Sequence, residues 1–507
     1  MPRARRERLN TLPRVRRPVL ALAGLLLLAG PTVLAFFTGG FFEGPRAAAA
    51  TIAWALVLVL AVAGPLPFPR TTAGRVAVAG LAGLAVWSAI SLAWAPMVSP
   101  GFHNAQRILL YLGVLLAAVA ALRDPRLVRA AEPALAAGAL TVIAYGLAGR
   151  LLPEVFNLER SFVAGGRLEQ PLTYWNAEGL LACIGVLLCA RLAGDPSRPG
   201  WMRAATAAAC APLGMGLYLT YSRGAVAVTL LGLIVLLAAV PTWVQLRAVV
   251  TGVAAAVLAA LLAASFSGVA SLEGSAADQS GEGAIVLAGL LALTALAAFA
   301  ATRAPREDRA RLRSARHLPA VAGAAALACV AGLVVGGLVE TAGNAENAGA
   351  KASRFTSVSS VRYEYWRVGG RAFLDRPLQG EGSGGFRVLW RQEREVDAVA
   401  LEVHSLVMEM VTELGLPGLL LLALLVGGVA VSAGAALRAG SPLAPAATAV
   451  CVAWLMHASF DWDWQMPAVT LPALVLAGGL IAGSETVSAM SRGSAPAPGP
   501  RAARRAP

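Results

Sequence analysis

Long apolar runs follow one another along most of this chain, each ended by a short polar or charged segment. A helix needs roughly 20 apolar residues to cross the hydrocarbon core of a bilayer. Reading for such runs gives about fourteen, near 19–37, 47–66, 76–95, 108–122, 132–149, 177–191, 204–220, 225–240, 248–269, 284–302, 318–339, 414–437, 442–459 and 466–484. The fourth and sixth are short and could merge or tilt. The pattern therefore predicts an all-α, polytopic integral membrane protein with about 12–14 transmembrane helices.

The segments between the runs set an orientation. MPRARRERLNTLPRVRR, PFPRTTAGR, RDPRLVR, RLAGDPSRPGWMR, RAPREDRARLRSARH and the tail ending RAARRAP are strongly basic. Basic connections mark the cytoplasmic side. With these inside, alternation puts TGGFFEGPR, residues 102–107, 150–175, SLEGSAADQSGEG, 341–403 and FDWDWQ outside. The expected organisation is a basic cytoplasmic N-terminus (1–18), a first part of the transmembrane bundle (19–340), a large extracytoplasmic loop with short helices (341–403), the last part of the bundle (404–484) and a disordered basic cytoplasmic tail (485–507). Both termini are expected in the cytoplasm, and the first apolar run reads as a span, not a cleavable signal.

Composition sharpens this picture. Hydrophobic residues make up 57% of 507 and charged residues only 14%, with a mean hydropathy of +0.67. A single core could not hide that much hydrocarbon, since cores stop growing near roughly 250–300 residues. A cytosolic enzyme, a secreted disulfide scaffold and a disordered protein are excluded. The net charge of +14 comes from arginines at the termini and in short connections, so membrane lipid, not nucleic acid, is the expected partner. Cys183, Cys189, Cys210, Cys329 and Cys451 lie in apolar runs without a C-x-x-C pair. No disulfide and no metal site are expected.

Few ionisable residues fall in the middle of a run, where an ion-coupled carrier usually places some. The unusual polar residues gather instead at the outer ends of spans and in the outer loops. In Tyr221-Ser222-Arg223-Gly224 a lone arginine opposes the positive-inside bias. It reads either as a snorkelling side chain or as a guanidinium that forks onto a phosphate. In Ser359–Phe386 a serine at 359 or 360 can cap a helix on which Arg362, Trp366 and Gly369 share a face, with Arg367 a third of a turn away. The run 380–385, with Gly382 and Gly384, either brings backbone amides to an anion or simply turns the chain. His404, with Glu402 beside it, precedes an amphipathic segment; it is either a general base or a cap. His457 and Asp461, at i and i+4, read first as a charged pair closing a helix end. Arg167 and Asn176 are further candidates to line a site.

Taken in order, S-R-G between two spans, R-x-x-x-W…P-L-x-G-x-G-x-G-x-F in the large loop, and H-x(8)-E-L-G-L-P-G-L opening a span resemble the O-antigen ligase and polymerase superfamily, over roughly residues 166–419. The resemblance implies a multi-pass protein of the bacterial cytoplasmic membrane. It implies a donor glycan on a polyprenyl diphosphate, a glycan, lipid or protein acceptor, and no cofactor. It further implies that Arg223 and Arg362, with Arg367 as a third candidate, grip the diphosphate, and that His404 activates the acceptor hydroxyl. Ser222, Trp366, Gly382, Gly384, Arg167, Asn176, Glu402, His457 and Asp461 would line the substrate. Ser405 and Gly385 stand where the family often has asparagine. The alternatives are a polymerase of lipid-linked repeat units, a lipid-linked glycan flippase or other transporter, and a non-catalytic scaffold.

Overall fold

The computed structural model describes residues 16–63, 66–303, 317–339 and 361–493, with 312, 350 and 351 between them. The basic N-terminus, most of the basic segment 304–316, Ser359 and Ser360, the side chain of Cys329 and the tail beyond 493 lie outside the described residues.

The described chain is helical and contains no strand. Its seventeen helices are α1 (Arg16–Ala35), α2 (Glu43–Ala63), α3 (Thr72–Ile90), α4 (Val98–Ala121), α5 (Pro125–Leu151), α6 (Trp175–Ala193), α7 (Gly200–Leu219), α8 (Arg223–Ala239), α9 (Trp243–Ala264), the single turn α10 (Ser267–Ala270), α11 (Ala276–Arg303), α12 (Leu318–Val339), α13 (Arg362–Asp375), α14 (Phe386–Glu393), α15 (Leu406–Arg438), α16 (Ala444–Ala458) and α17 (Pro467–Gly493). Each of the fourteen apolar runs coincides with one helix. Ten of these helices are long and apolar enough to cross a membrane. The boundaries follow local chemistry. Thr71, Ser222, Thr242 and Ser405 each accept a first-turn amide through their hydroxyl, and Asp124 caps α5 just before Pro125. The fourth run extends to a 24-residue helix because α4 carries Asn104 and Arg107 into the interior, where other polar groups meet them.

Helix α6 forms the centre and is buried along its whole length. It packs against α5, α7, α8, α9 and α16, while α4 and α17 line the other half of the core. Small residues let the helices approach, as expected where lipid removes the hydrophobic drive between them. A side chain at Gly80 of α3 would stand 2.6 Å from the Leu425 amide nitrogen and 2.7 Å from the Leu421 carbonyl of α15. Gly428 meets the backbone of Ala73 and Ala77 in the same way. Gly80→Ala is therefore expected to force α3 and α15 apart and cost about 1–3 kcal/mol, read as a lower midpoint of thermal unfolding. An unchanged midpoint would mean that this crossing is loose.

The large loop folds on itself. Tyr365, Val368 and Ala372 of α13 meet Phe386, Leu389 and Trp390 of α14, with Ala400 and Val403, in a second small core. The connections that alternation assigns to one side share one end of the bundle: Phe41 touches Trp462, Ser383 bonds to Ser91, Tyr174 to Asp461, Tyr221 to Ala270, and Arg150 to Val269.

Candidate functional site

The turn 459–466 between α16 and α17 is where the candidate residues meet. Asp461 is almost fully buried in it. Its Oδ2 accepts from Arg362 Nη2 at 2.6 Å, and its Oδ1 accepts from Tyr174 Oη at 2.6 Å and from the Trp462 amide at 2.8 Å. Asn176 Nδ2 donates to Tyr174 Oη at 2.8 Å. One chain of polar groups thus runs from α6 through Asp461 to the first residue of α13. Burial alone would raise the Asp461 carboxyl, but Arg362, then His457 and His404, hold it below the ordinary range. Burial works against the Arg362 charge as well, and Asp461 and Tyr174 outweigh it.

His404 stands beside this pair. Its ring lies between Tyr365, 5.1 Å away, and Trp462, 5.7 Å away, by centroids. Its backbone is left-handed at φ +56°, a conformation that bulky residues rarely adopt and that often marks a functional position. Nδ1 lies 2.8 Å from the Glu402 carbonyl oxygen. A carbonyl only accepts, so Nδ1 carries the hydrogen and Nε2 keeps its lone pair. Ser405, not His404, caps α15, through a 3.2 Å bond from the Met408 amide. This removes the capping alternative for the histidine. Burial, then the Arg362 guanidinium, pushes the imidazole down to about 4.

Arg223 opens α8 directly after its cap Ser222. A side chain at Gly224 would reach within 2.3 Å of Phe460 and 3.3 Å of His457 Nε2. The turn that carries Arg223 therefore abuts the same 457–463 segment. Arg167 lies with its guanidinium 3.5 Å over the Trp175 ring, which neighbours Tyr174 at 5.0 Å. Its Nε and Nη2 also tie down the carbonyls of Ala164 and Val163.

Other candidates have different partners from those expected. His457 pairs with Asp463, at 2.6 Å between Nδ1 and Oδ2, and not with Asp461. The helix ends at Ser459, so the i, i+4 relation breaks there. Burial holds the Asp463 carboxyl above its ordinary value even so. Arg367 is engaged by Glu364 and by Glu395, the latter at 2.9 Å, because it points away from Arg362 on α13. The glycine-rich run cradles the Glu413 carboxyl group instead of a ligand. The Gly384 amide donates to Glu413 at 2.7 Å and the Phe386 amide at 3.3 Å, and Gly382 and Gly384 are buried. Glu402 is a clamp, held by Arg387 at 2.9 Å and Gln465 at 3.3 Å. Trp366 packs between the two cores.

Sequence reasoning passed over Tyr174 and Gln465, and gave only weak weight to Asn104, Arg107 and Glu409, which form a buried set with Gln465. Arg107 Nη1 donates to Asn104 at 3.0 Å and its Nη2 lies 3.7 Å from Glu409. The only signal for Tyr174 was its place two residues before Asn176, at the polar start of an apolar run. Among the described residues no group of three histidine, cysteine or acidic side chains is placed to hold a metal ion.

Comparison with known families finds that the O-antigen ligase model matches residues 208–423. That stretch contains Arg223, Arg362 and His404, while Tyr174, Asn176, His457, Asp461 and Asp463 lie outside it. No curated protein matches the chain.

Proposed function

We propose that this protein, a member of the O-antigen ligase superfamily through its residues 208–423, transfers a glycan from a polyprenyl-diphosphate carrier to an acceptor hydroxyl at the outer face of the bacterial cytoplasmic membrane. The observation that supports it most is the meeting of Arg362, His404 and the Arg223 turn on one segment, 457–463. Its family assigns it to ligase- or polymerase-type glycan transfer in polysaccharide assembly.

The diphosphate is already a good leaving group and needs its charge held as the C–O bond breaks. Arg223 and Arg362 supply that charge. A charge-assisted hydrogen bond contributes roughly 1.5–3 kcal/mol, and it speeds the reaction to the extent that it tightens in the transition state. Asp461 holds and orients the Arg362 guanidinium toward the carrier. His404 Nε2 takes the proton of the incoming hydroxyl, and one direct displacement inverts the anomeric centre. The carrier's own charge completes the device. A diphosphate on Arg362 offsets that guanidinium's share of the depression of His404, whose larger cause is burial, so the imidazole becomes a somewhat stronger base when the donor is bound.

This has a pH signature. His404 is neutral above its pKa and active as a base, so activity falls as pH drops through it. The acid limb of kcat/KM, which reports the free protein, should lie near pH 4, and that of kcat, which reports the complex, should lie higher. Coincident limbs near the usual histidine range of about 6.5 would contradict the coupling. The decisive test is reconstitution of the purified protein with a polyprenyl-diphosphate glycan and an acceptor. Free polyprenyl diphosphate and glycosylated acceptor should appear together and be lost in His404→Ala. Movement of the lipid across the bilayer without cleavage would make the protein a flippase and end this reading.

A further inference from the structure

We propose that Arg387 and Gln465 are positioning residues: through the Glu402 side chain they hold the carbonyl that fixes which nitrogen of His404 is the base. This rests on the reading of His404 as the base of the transfer. The left-handed backbone of His404, at φ +56°, persists only where its surroundings over-determine it. Its ring bonds two residues back, Nδ1 to the Glu402 carbonyl at 2.8 Å. A neutral imidazole without that acceptor carries its hydrogen on either nitrogen. Part of the population then presents an N–H where the reaction needs a lone pair. The peptide after Glu402 must therefore be held.

Its neighbours are anchored from three different elements. Val403 is buried in the small core of the large loop, and Ser405 caps α15. Glu402 is buried too, and its carboxyl oxygens are taken separately. Oε1 accepts from Arg387 Nη2 of α14 at 2.9 Å, and Oε2 from Gln465 Nε2 of the 459–466 turn at 3.3 Å. Gln465 is fixed in turn, since the same nitrogen donates to Glu409 of α15 at 2.7 Å. Both oxygens thus point their bonds away from the imidazole. The arrangement differs from a catalytic triad, in which the carboxylate itself meets the ring. Helix α14 supports the ring by a second route: Trp390 packs edge-on against Tyr365 at 4.7 Å, and Tyr365 lies against His404. Burial lifts the Glu402 carboxyl above its ordinary range, and Arg387 is the largest charge opposing this. Without Arg387 the carboxyl group turns away from its place and carries the peptide with it, which frees the imidazole to exchange tautomers.

The test records 15N-histidine spectra of the full-length chain in lipid nanodiscs at neutral pH, with His404 assigned as the signal lost in His404→Ala. In wild type Nδ1 should read as protonated and Nε2 as unprotonated. In Arg387→Ala and Gln465→Leu, shown to be folded by thermal unfolding, the two signals should move toward each other as the tautomers mix. In the reconstituted reaction kcat should fall about tenfold or more, with the KM for the donor nearly unchanged because Arg223 and Arg362 stay in place. Arg387→Lys keeps the ion pair and should recover part of both readouts. Arg376→Ala breaks another ion pair of the same loop, with Glu381 at 3.5 Å, and should move neither. A wild-type His404 with its hydrogen on Nε2, unmoved signals in both folded variants, or an equal effect of Arg376→Ala overturns the proposal. Should Arg387→Ala and Gln465→Leu not fold, Arg387→Gln, which keeps a donor without the charge, carries the same test. A chain whose His404 responds as expected but which transfers no glycan overturns the glycan-transfer reading and leaves the positioning in place.

Discussion

Arg362→Lys is expected to slow glycan transfer by about a hundredfold or more while the protein stays folded. Arg362 serves two partners. Its Nη2 is committed to Asp461 at 2.6 Å, and that carboxylate is buried and also bonded to Tyr174 and Trp462. In the proposed reaction the planar, rigid head group lets one side chain hold Asp461 and reach the carrier at once. Lysine keeps the charge but concentrates it at one point. It can neutralise Asp461 or reach the carrier, and it does not do both. Loss of one or two charge-assisted bonds, roughly 1.5–3 kcal/mol each, corresponds to a factor of ten for every ~1.4 kcal/mol. Rates of polyprenyl-diphosphate release in the reconstituted system measure this. Arg367→Lys should leave the rate nearly unchanged, since Arg367 is engaged by Glu364 and Glu395. Equal losses in both variants would mean that the chain of bonds through Asp461 does not select Arg362.

Glu413→Ala should be the most destabilising of the substitutions considered, by about 3 kcal/mol. The side chain is buried in the first turns of α15 and accepts the Gly384 and Phe386 amides. Its own carbonyl accepts the Gly382 amide, and the Thr412 carbonyl accepts that of Glu381. Removing the carboxyl group orphans two buried N–H groups, each costing about 1–3 kcal/mol. The loop 380–386 would then lose its seat against α3 and α4, where Ser383 bonds to Ser88 and Ser91. A fall in the midpoint of thermal unfolding checks this, and Glu413→Gln, which keeps one acceptor, should recover part of it. If Glu413→Ala instead weakened donor binding at constant stability, the glycine run would be a ligand cradle after all.

The contrast between these two substitutions shows how far the linear pattern reaches. Apolar runs of helical length were enough to locate every membrane-length helix, because in lipid the chain must satisfy its backbone hydrogen bonds within each segment. That constraint is local. A lone arginine against the positive-inside bias is conspicuous, and so Arg223 stood out, while Arg362 and His404 were singled out by their sequence context and the family resemblance. Their company did not. Gly380–Gly385 has the composition of an anion cradle whether it holds a substrate or the Glu413 carboxyl group, since flexibility is encoded but the occupant is not. His457 and Asp461 have helical spacing, yet the chain turns at Ser459 and gives His457 to Asp463.

What the sequence by itself determined was therefore where the long apolar helices lie, and the few polar residues at their outer ends. Which of those residues share a site was decided only by the packing of α6, α8, α13 and α15 around the turn 459–466. Tyr174 and Asp461 lie 287 positions apart and meet at 2.6 Å. Burial of helix on helix fixes such a contact, and spacing along the chain carries no trace of it.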